Sequence, residues 1–358
     1  MQKIDLKNYG LTPRFEQEAS MYENMYIARV MQQHRDIYNV ICAGGEILAS
    51  VSGKFSYDAK DNTHYPVVGD WVIIDREDNN AGNAVIHHVL TRKSVFERKA
   101  AGTSNEAQII ASNIDTVFIC MSLNLNFNLR RVERYLSVAF NSLATPVIVL
   151  TKADLCDDIA SKLSEISSVS AGADVIVCSS ISDDGYSEVL KYITQGKTIA
   201  FIGSSGVGKS TLINRLMGAD ILVTKQTGND DKGAHTTTRR QMIALPGGGI
   251  VIDTPGMREL GLESADLSRT FEDIEQLAQM CRFKDCTHDK EPGCAVKQAI
   301  ESGQLSQKRF ESYKKLQSEI SYEGLNSRQL ENEKIKKMFG SKSEMKQLMK
   351  QAKNKNKY

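Results

Sequence analysis

The chain has almost no net charge, no long apolar run and no Cys-x-x-Cys pair, and each absence removes a class of function. Lys and Arg number 45 against 44 Asp and Glu, leaving a formal charge of +1. That balance excludes a uniformly basic nucleic-acid binder and leaves room for a local basic patch. No stretch approaches the ~18 consecutive apolar residues of a membrane span. The amino terminus, "MQKIDLKNYGLTPRFEQEAS", holds no apolar core of the kind a secretion leader carries. The expectation is a cytoplasmic protein that stays off the membrane. No internal repeat is visible, and 358 residues allow two or three ordinary globular domains.

The cysteines that are present divide into two groups. Cys42, Cys120, Cys156 and Cys178 stand singly among apolar neighbours, as reduced core thiols do. Cys281, Cys286 and Cys294 fall within 14 residues and share that window with His288.

Residues 22–97 read as short strands divided by turns. "MYIARVM", "IYNVICA", "EILASVSGKF", "DWVIID" and "AVIHHVL" are rich in β-branched and aromatic residues, and Gly, Asn and Asp collect between them. Five such strands suit a small barrel of the oligonucleotide-binding type. From about residue 112 strands and helices alternate, which predicts a parallel sheet with helices on both faces. After residue 263 strands give out and the chain turns polar and helical. The final stretch, 331–358, carries nine Lys against three Glu and reads as a solvated tail. The expected organisation is multi-domain: a barrel over 1–97, an α/β domain over 98–263, and a helical domain with the basic tail over 264–358.

"FIGSSGVGKSTLINRL" (201–216) matches the phosphate-loop pattern at every fixed position. The backbone of Gly203, Ser204, Ser205, Gly206, Val207 and Gly208 can turn its amides toward phosphates, and the following helix aims its positive end at them. Lys209 would reach the β- and γ-phosphates, the Ser210 hydroxyl would be a Mg²⁺ ligand, and Thr211 opens the helix beside them. In "GGGIVIDTPGMREL" (247–260), Asp253 ends an apolar strand where it can hold Mg²⁺ through water, and the Gly256 amide can meet the γ-phosphate. Alone, "DTPG" is equally a strand followed by a turn. "GAHTTTRR" (233–240) supplies a switch threonine for the Mg²⁺ shell, with Thr238 preferred over Thr237.

"TKAD" brings Thr151, Lys152, Ala153 and Asp154 to a strand end, where the Asp can accept from guanine N1–H and N2–H₂. Adenine lacks that donor pair and would leave the carboxylate unpaired. Ser179, in "CSS" closing the next strand, completes the expected base site. This motif precedes the phosphate loop by about fifty residues, whereas an ordinary GTPase places it after. The order base, phosphate, switch, metal is therefore that of a GTPase with relocated termini. A sheet tolerates such a cut because termini lie at the surface and can be rejoined. The new order leads "DTPG" almost directly into the Cys/His region, so a switch there would pull on the appended domain.

Cys281, Cys286, His288 and Cys294 offer four soft or borderline donors in a turn-rich window. That set suits one closed, tetrahedral, structural Zn²⁺ per chain, with no position left for a catalytic water. His235 and the His87–His88 pair stand outside it, and the pair reads as a strand edge.

Barrel, permuted guanine-nucleotide domain and Cys₃His segment, in that order, resemble the bacterial ribosome small subunit-dependent GTPase A family. The resemblance spans about residues 22–325 and rests on "YPVVGDWVIID", "ERKAAG…ASNIDTVFI", "TKADL", "GSSGVGKSTLIN", "GAHTTTRR", "IDTPGMREL" and "DCTHDKEPGCAV". It implies GTP hydrolysis to GDP in late maturation of the 30S subunit, and contacts to 16S ribosomal RNA from the barrel and zinc domains. It also implies a cytoplasmic location and a monomer. Thr151, where many GTPases have Asn, is a variation this family shows.

Two other readings stay open at this point: an RNA-binding module whose GTP site hydrolyses little, and a P-loop ATPase or small-molecule kinase, against which "TKAD" argues. In Ras-type sites the residue after the "DxxG" glycine is a water-orienting Gln. Here it is Met257, so slow intrinsic hydrolysis is expected, with His235 as an internal candidate for the missing catalytic group.

Overall fold

The structure, a computed structural model, describes residues 3–99, 107–124, 126–179, 182, 185–219, 241–253 and 267–321, with isolated positions between 329 and 347. A short helix α1 (Pro13–Ala19) leads into five strands: β1 (Tyr26–His34), β2 (Ile37–Cys42), β3 (Gly45–Val51), β4 (Trp71–Ile74) and β5 (Ala84–Val89). β1 pairs antiparallel with β2 and β4, β2 with β3, and β4 with β5, while β3 runs parallel to β5. The ring is thus closed. Alternate inward residues, among them Val30, Val40, Ile47, Ala49, Val72 and Ile86, fill it.

One expectation for this region needs correction. "EILASVSGKF" is not one strand. It stops at Val51 because the Ser52 hydroxyl accepts the Phe55 amide at 2.9 Å and caps helix α2 (Gly53–Asp58). His87 and His88 lie at the end of β5, where His88 faces Ile73 of β4 and the pairing with β3 has stopped at Ile86.

A hairpin of β6 (Val95–Lys99) and β7 (Ala107–Ser112) follows. The α/β part then runs β8 (Thr116–Ser122), α3 (Leu129–Asn141), β9 (Thr145–Thr151), α4 (Ile159–Ser167), β10 (Asp174–Val177), α5 (Tyr186–Leu190), β11 (Thr198–Ile202), α6 (Lys209–Met217), β12 (Gln241–Ala244) and β13 (Ile250–Asp253). Its spatial order is β10-β9-β8-β11-β13-β12. Side chains of β8 show why helices cover both faces. Val117, Ile119 and Met121 join the core under α3 and α4, whereas Phe118 and Cys120 join the core under α5 and α6. The first five strands are parallel, but β12 runs antiparallel to β13, contrary to an all-parallel sheet. The "LPGGG" turn joining them is too short for a crossover.

β12 also touches β1 through the pair Gln241 and Gln32, so barrel and α/β sheet are continuous. Three helices follow β13: α7 (Glu272–Gln279), α8 (Ala295–Glu301) and α9 (Gln307–Ser321). Among the described residues no helix is long and apolar enough to cross a membrane.

Candidate nucleotide site and metal centre

β8, β9, β10, β11 and β13 all end on one side of the sheet, the side where open α/β folds place ligands. The phosphate loop leaves β11 there. Gly203 has φ 145°, and a Cβ on it would lie 2.4 Å from the Cys120 carbonyl oxygen, so only glycine fits. Gly208, at φ 94°, is the N-cap of α6 and brings no side chain to cover that helix end. Lys209 is 8% exposed and its Nζ donates to the Gly203 and Ser204 carbonyls at 2.7 and 2.6 Å. The ammonium therefore sits inside the loop it would serve, next to the backbone that a phosphate would occupy.

The base end is tied to this loop by one hydroxyl. Thr151, fully buried at the end of β9, donates from Oγ1 to the Val207 carbonyl at 2.5 Å. A threonine can stand at a position that is often Asn because this tether needs only a single short donor. Lys152 adopts a left-handed conformation, φ 57°, and turns the chain into the 3₁₀ turn Ala153–Leu155 that presents Asp154. The Asp154 carboxylate accepts from the Ser179 hydroxyl at 2.7 Å, which fixes its rotation. Two residues absent from the sequence expectations brace the site, one at each end. Arg215 of α6 donates to the Ser179 carbonyl at 3.2 Å and to the Ser182 carbonyl, and stacks 4.0 Å over Tyr186. Arg131 of α3 donates to the Ser204 hydroxyl at 3.0 Å. No motif marks either arginine; only helical position relative to the loop could have pointed to them.

Asp253 ends β13, the parallel neighbour of β11, and so stands beside the start of the phosphate loop. Ser210 and Thr211 lie in the first turn of α6. His235, Thr237, Thr238, Gly256 and Met257 lie outside the described residues.

The Cys/His set converges. Cys281 follows α7, Cys294 caps α8, and the ligand atoms of Cys281, Cys286, His288 and Cys294 all lie within 4.8 Å of one another. Cys281 and Cys294 sulfurs are 3.8 Å apart, and His288 Nδ1 is 3.6 and 3.4 Å from them. A tetrahedral ion with bonds of about 2.3 Å to sulfur and about 2.0 Å to nitrogen needs edges of roughly 3.5–3.8 Å. His288, at φ 61°, turns the loop so that Nδ1 faces the thiols. Burial lowers its pKa, which favours the neutral imidazole that a metal requires. Glu291 organises the loop by accepting from the Thr287 hydroxyl and the backbone amides of 287, 289 and 290. These bonds, the Thr287 hydroxyl foremost, hold its carboxyl down at about 2. Cys120 and Cys178, by contrast, are pushed up by burial to about 12 and about 11, as inert core thiols.

The sequence model of the RsgA GTPase matches residues 89–263. A curated relative from Lactiplantibacillus plantarum, named small ribosomal subunit biogenesis GTPase RsgA 2, is 52% identical over 346 residues, 96% of this chain and 97% of its own length. This chain belongs to the RsgA GTPase family. Its Opitutus terrae relative of the same biogenesis name is 43% identical over 84% of this chain and 85% of its own. Among solved structures, YjeQ from Thermotoga maritima superposes with a TM-score of 0.63 at 27% identity, covering 83% of this chain and 98% of that one. YloQ, described as a circularly permuted GTPase, gives 0.59 at 27% identity, with 84% and 96% covered.

As an RsgA-family protein the chain is a GTP hydrolase, and its chain order is that of a circularly permuted GTPase: β9, which ends in the "TKAD" segment, precedes the phosphate-loop strand β11. A separate cavity of about 640 Å³ lies on the barrel between α2 and β5, lined by Lys54, Phe55, His64, His87, His88 and Arg92 among others. It shares no residue with the nucleotide site.

Proposed function

We propose that this RsgA-family chain hydrolyses GTP to GDP and phosphate as a step in maturation of the small ribosomal subunit. The observation that carries the reading is the Thr151 tether, which joins a guanine-reading strand end to the phosphate loop and makes one site of two motifs. Asp154, held by Ser179, selects guanine, and Lys152 lies along the base. The amides of residues 203–208 and the start of α6 receive the phosphates, with Lys209 turning from the loop carbonyls to the β- and γ-oxygens. Ser210, Thr238 and Asp253 would hold Mg²⁺, which when bound would supply positive charge to offset that of the phosphates. Gly256 contacts the γ-phosphate.

The Cys₃His cluster takes one Zn²⁺ in a structural role, since all four donors come from protein. The barrel and zinc domains contact 16S ribosomal RNA. Supporting this, Lys54 and Phe55 both line the barrel cavity, a cation for phosphate and a ring for a base. The protein works in the cytoplasm, as a monomer on the 30S subunit.

Measuring GTP turnover with added 30S, 50S or 70S particles tests the reading. Stimulation confined to 30S is expected, because Met257 leaves the isolated site without a water-orienting Gln. Equal turnover with and without 30S subunits would overturn the ribosomal assignment.

A further inference from the structure

Helix α3 touches both the phosphate loop and the C-terminal domain. At 3.6 residues per turn, Arg130, Glu133 and Arg134 occupy one arc of about 100°, opposite the buried stripe of Val132, Leu136 and Ala139. That arc receives α9. Arg309 donates to Glu133 at 2.8 Å, the Ser312 hydroxyl donates to the same carboxylate, and Arg130 and Arg134 pair with Glu311 and Glu319. Glu133 is 2% exposed, and Arg309 also grips Asp273 and the Thr270 carbonyl, so this is a buried joint rather than a surface contact. Arg131 lies about a third of a turn round from the centre of the α9 arc. Its Nη1 meets Ser204 Oγ at 3.0 Å, next to the two carbonyls that hold Lys209.

We propose that Arg131 is a positioning residue for the phosphate loop, and that docking of α9 on α3 sets its position. The inference rests on the guanine-nucleotide reading of this loop and adds a route from the C-terminal domain that bypasses the switch segments. Ser204 is where the route enters the loop. While Arg131 holds the Ser204 side chain, the 203–204 carbonyls keep one orientation, and Lys209 is delivered to the phosphates from a defined start. If α9 shifts, the first turn of α3 shifts with it, and the loop loses that reference.

The test uses the full-length protein with fluorescent GTP and GDP analogues, scoring dissociation rates, and single-turnover hydrolysis of GTP. Arg131→Ala should lower the single-turnover rate by about 10-fold, the scale of one charge-assisted hydrogen bond, with GTP affinity changed much less. Arg131→Lys, which keeps charge and a donor, should recover most of the rate. Ser204→Ala should match Arg131→Ala, and the double variant should be no slower than either alone. Arg134→Glu, which repels Glu319, should slow hydrolysis in the parent protein but not further in Arg131→Ala. Arg134→Glu with Glu319→Arg should restore it.

An Arg131→Ala protein that binds and hydrolyses like the parent overturns the positioning role. Effects of Arg131→Ala and Ser204→Ala that multiply do the same. An Arg134→Glu effect that persists undiminished in Arg131→Ala overturns the α9 route. A parent protein that binds neither guanine nucleotide would instead overturn the nucleotide-site reading, a separately visible outcome.

Discussion

Thr151 and Asp154 sit three residues apart and do different work. Thr151 holds the Val207 carbonyl of the phosphate loop, while Asp154, proposed as the guanine reader, is held by the Ser179 hydroxyl. Thr151→Val keeps the shape of the side chain but strands the buried Val207 carbonyl. Stranding such a group costs about 1–3 kcal/mol, so GTP should bind roughly 5- to 150-fold more weakly, as titration with a fluorescent analogue would show. Unchanged binding would mean that the tether is structural only. Asp154→Asn should weaken GTP binding and improve binding of xanthosine triphosphate, whose exchanged donor pattern suits the amide. A variant with the parent's preference for GTP removes Asp154 as the base reader.

Whole elements are fastened by a few partly buried charges. Asp115, at the entry to β8, accepts from Lys93 Nζ at 2.7 Å, Lys197 Nζ at 3.4 Å and the Thr198 amide at 2.8 Å. Burial pushes its carboxyl up, but the charge and hydrogen bond of Lys93, with the Thr198 amide and Lys197, outweigh this and leave the pKa lowered. Lys93 itself is lowered, because burial disfavours its ammonium more than Asp115 favours it. With the folded pKa of Asp115 below the unfolded one, its contribution is present above about pH 4 and is lost as pH falls through the folded value. Urea midpoints measured over roughly pH 6 to 2.5 should fall less steeply for Asp115→Asn than for the parent. Parallel curves would exclude Asp115 from the acid response.

The Cys/His loop is fastened differently. It has few apolar residues, and a metal held by its four donors would supply folding free energy there. Cys286→Ser should reduce bound zinc from about one ion per chain and expose residues 281–294 to proteolysis, measured by metal analysis and peptide mapping. A metal-free parent with a protease-resistant loop would sink the zinc assignment.

At the scale of the molecule, the chain order puts the barrel before the α/β sheet and the Cys/His segment after it. The barrel precedes β8 and joins the sheet at β1–β12, and the Cys/His domain follows β13 and grips α3. A ribosomal particle holding both would act on the site from two sides. Completing a GTPase site from outside is worth up to ~10⁵-fold. His235→Ala is expected to lose most of the 30S-stimulated rate while retaining GTP binding. Full stimulated turnover in that variant would return His235 to an ordinary loop residue.

The sequence alone determined what depends on local pattern. Glycines and lysine at fixed spacing announced the phosphate loop. "TKAD" after four apolar residues announced a strand end that presents Asp154, and clustered Cys and His announced four donors that converge. Alternation of strands and helices revealed the parallel core. These were legible because each is a short-range requirement: a turn needing φ above zero, a strand end presenting a carboxylate, soft donors within one loop. Tertiary structure decided the rest. That Thr151 meets Val207, Arg131 meets Ser204 and Glu133 meets Arg309 follows from contacts spanning 56, 73 and 176 residues. The antiparallel turn of β12 and the early end of β3 were settled by a tight Gly-rich turn and a serine cap that strand propensity does not weigh. Buried polar groups must find partners wherever the fold brings them, and no periodicity in the chain records which partner that is.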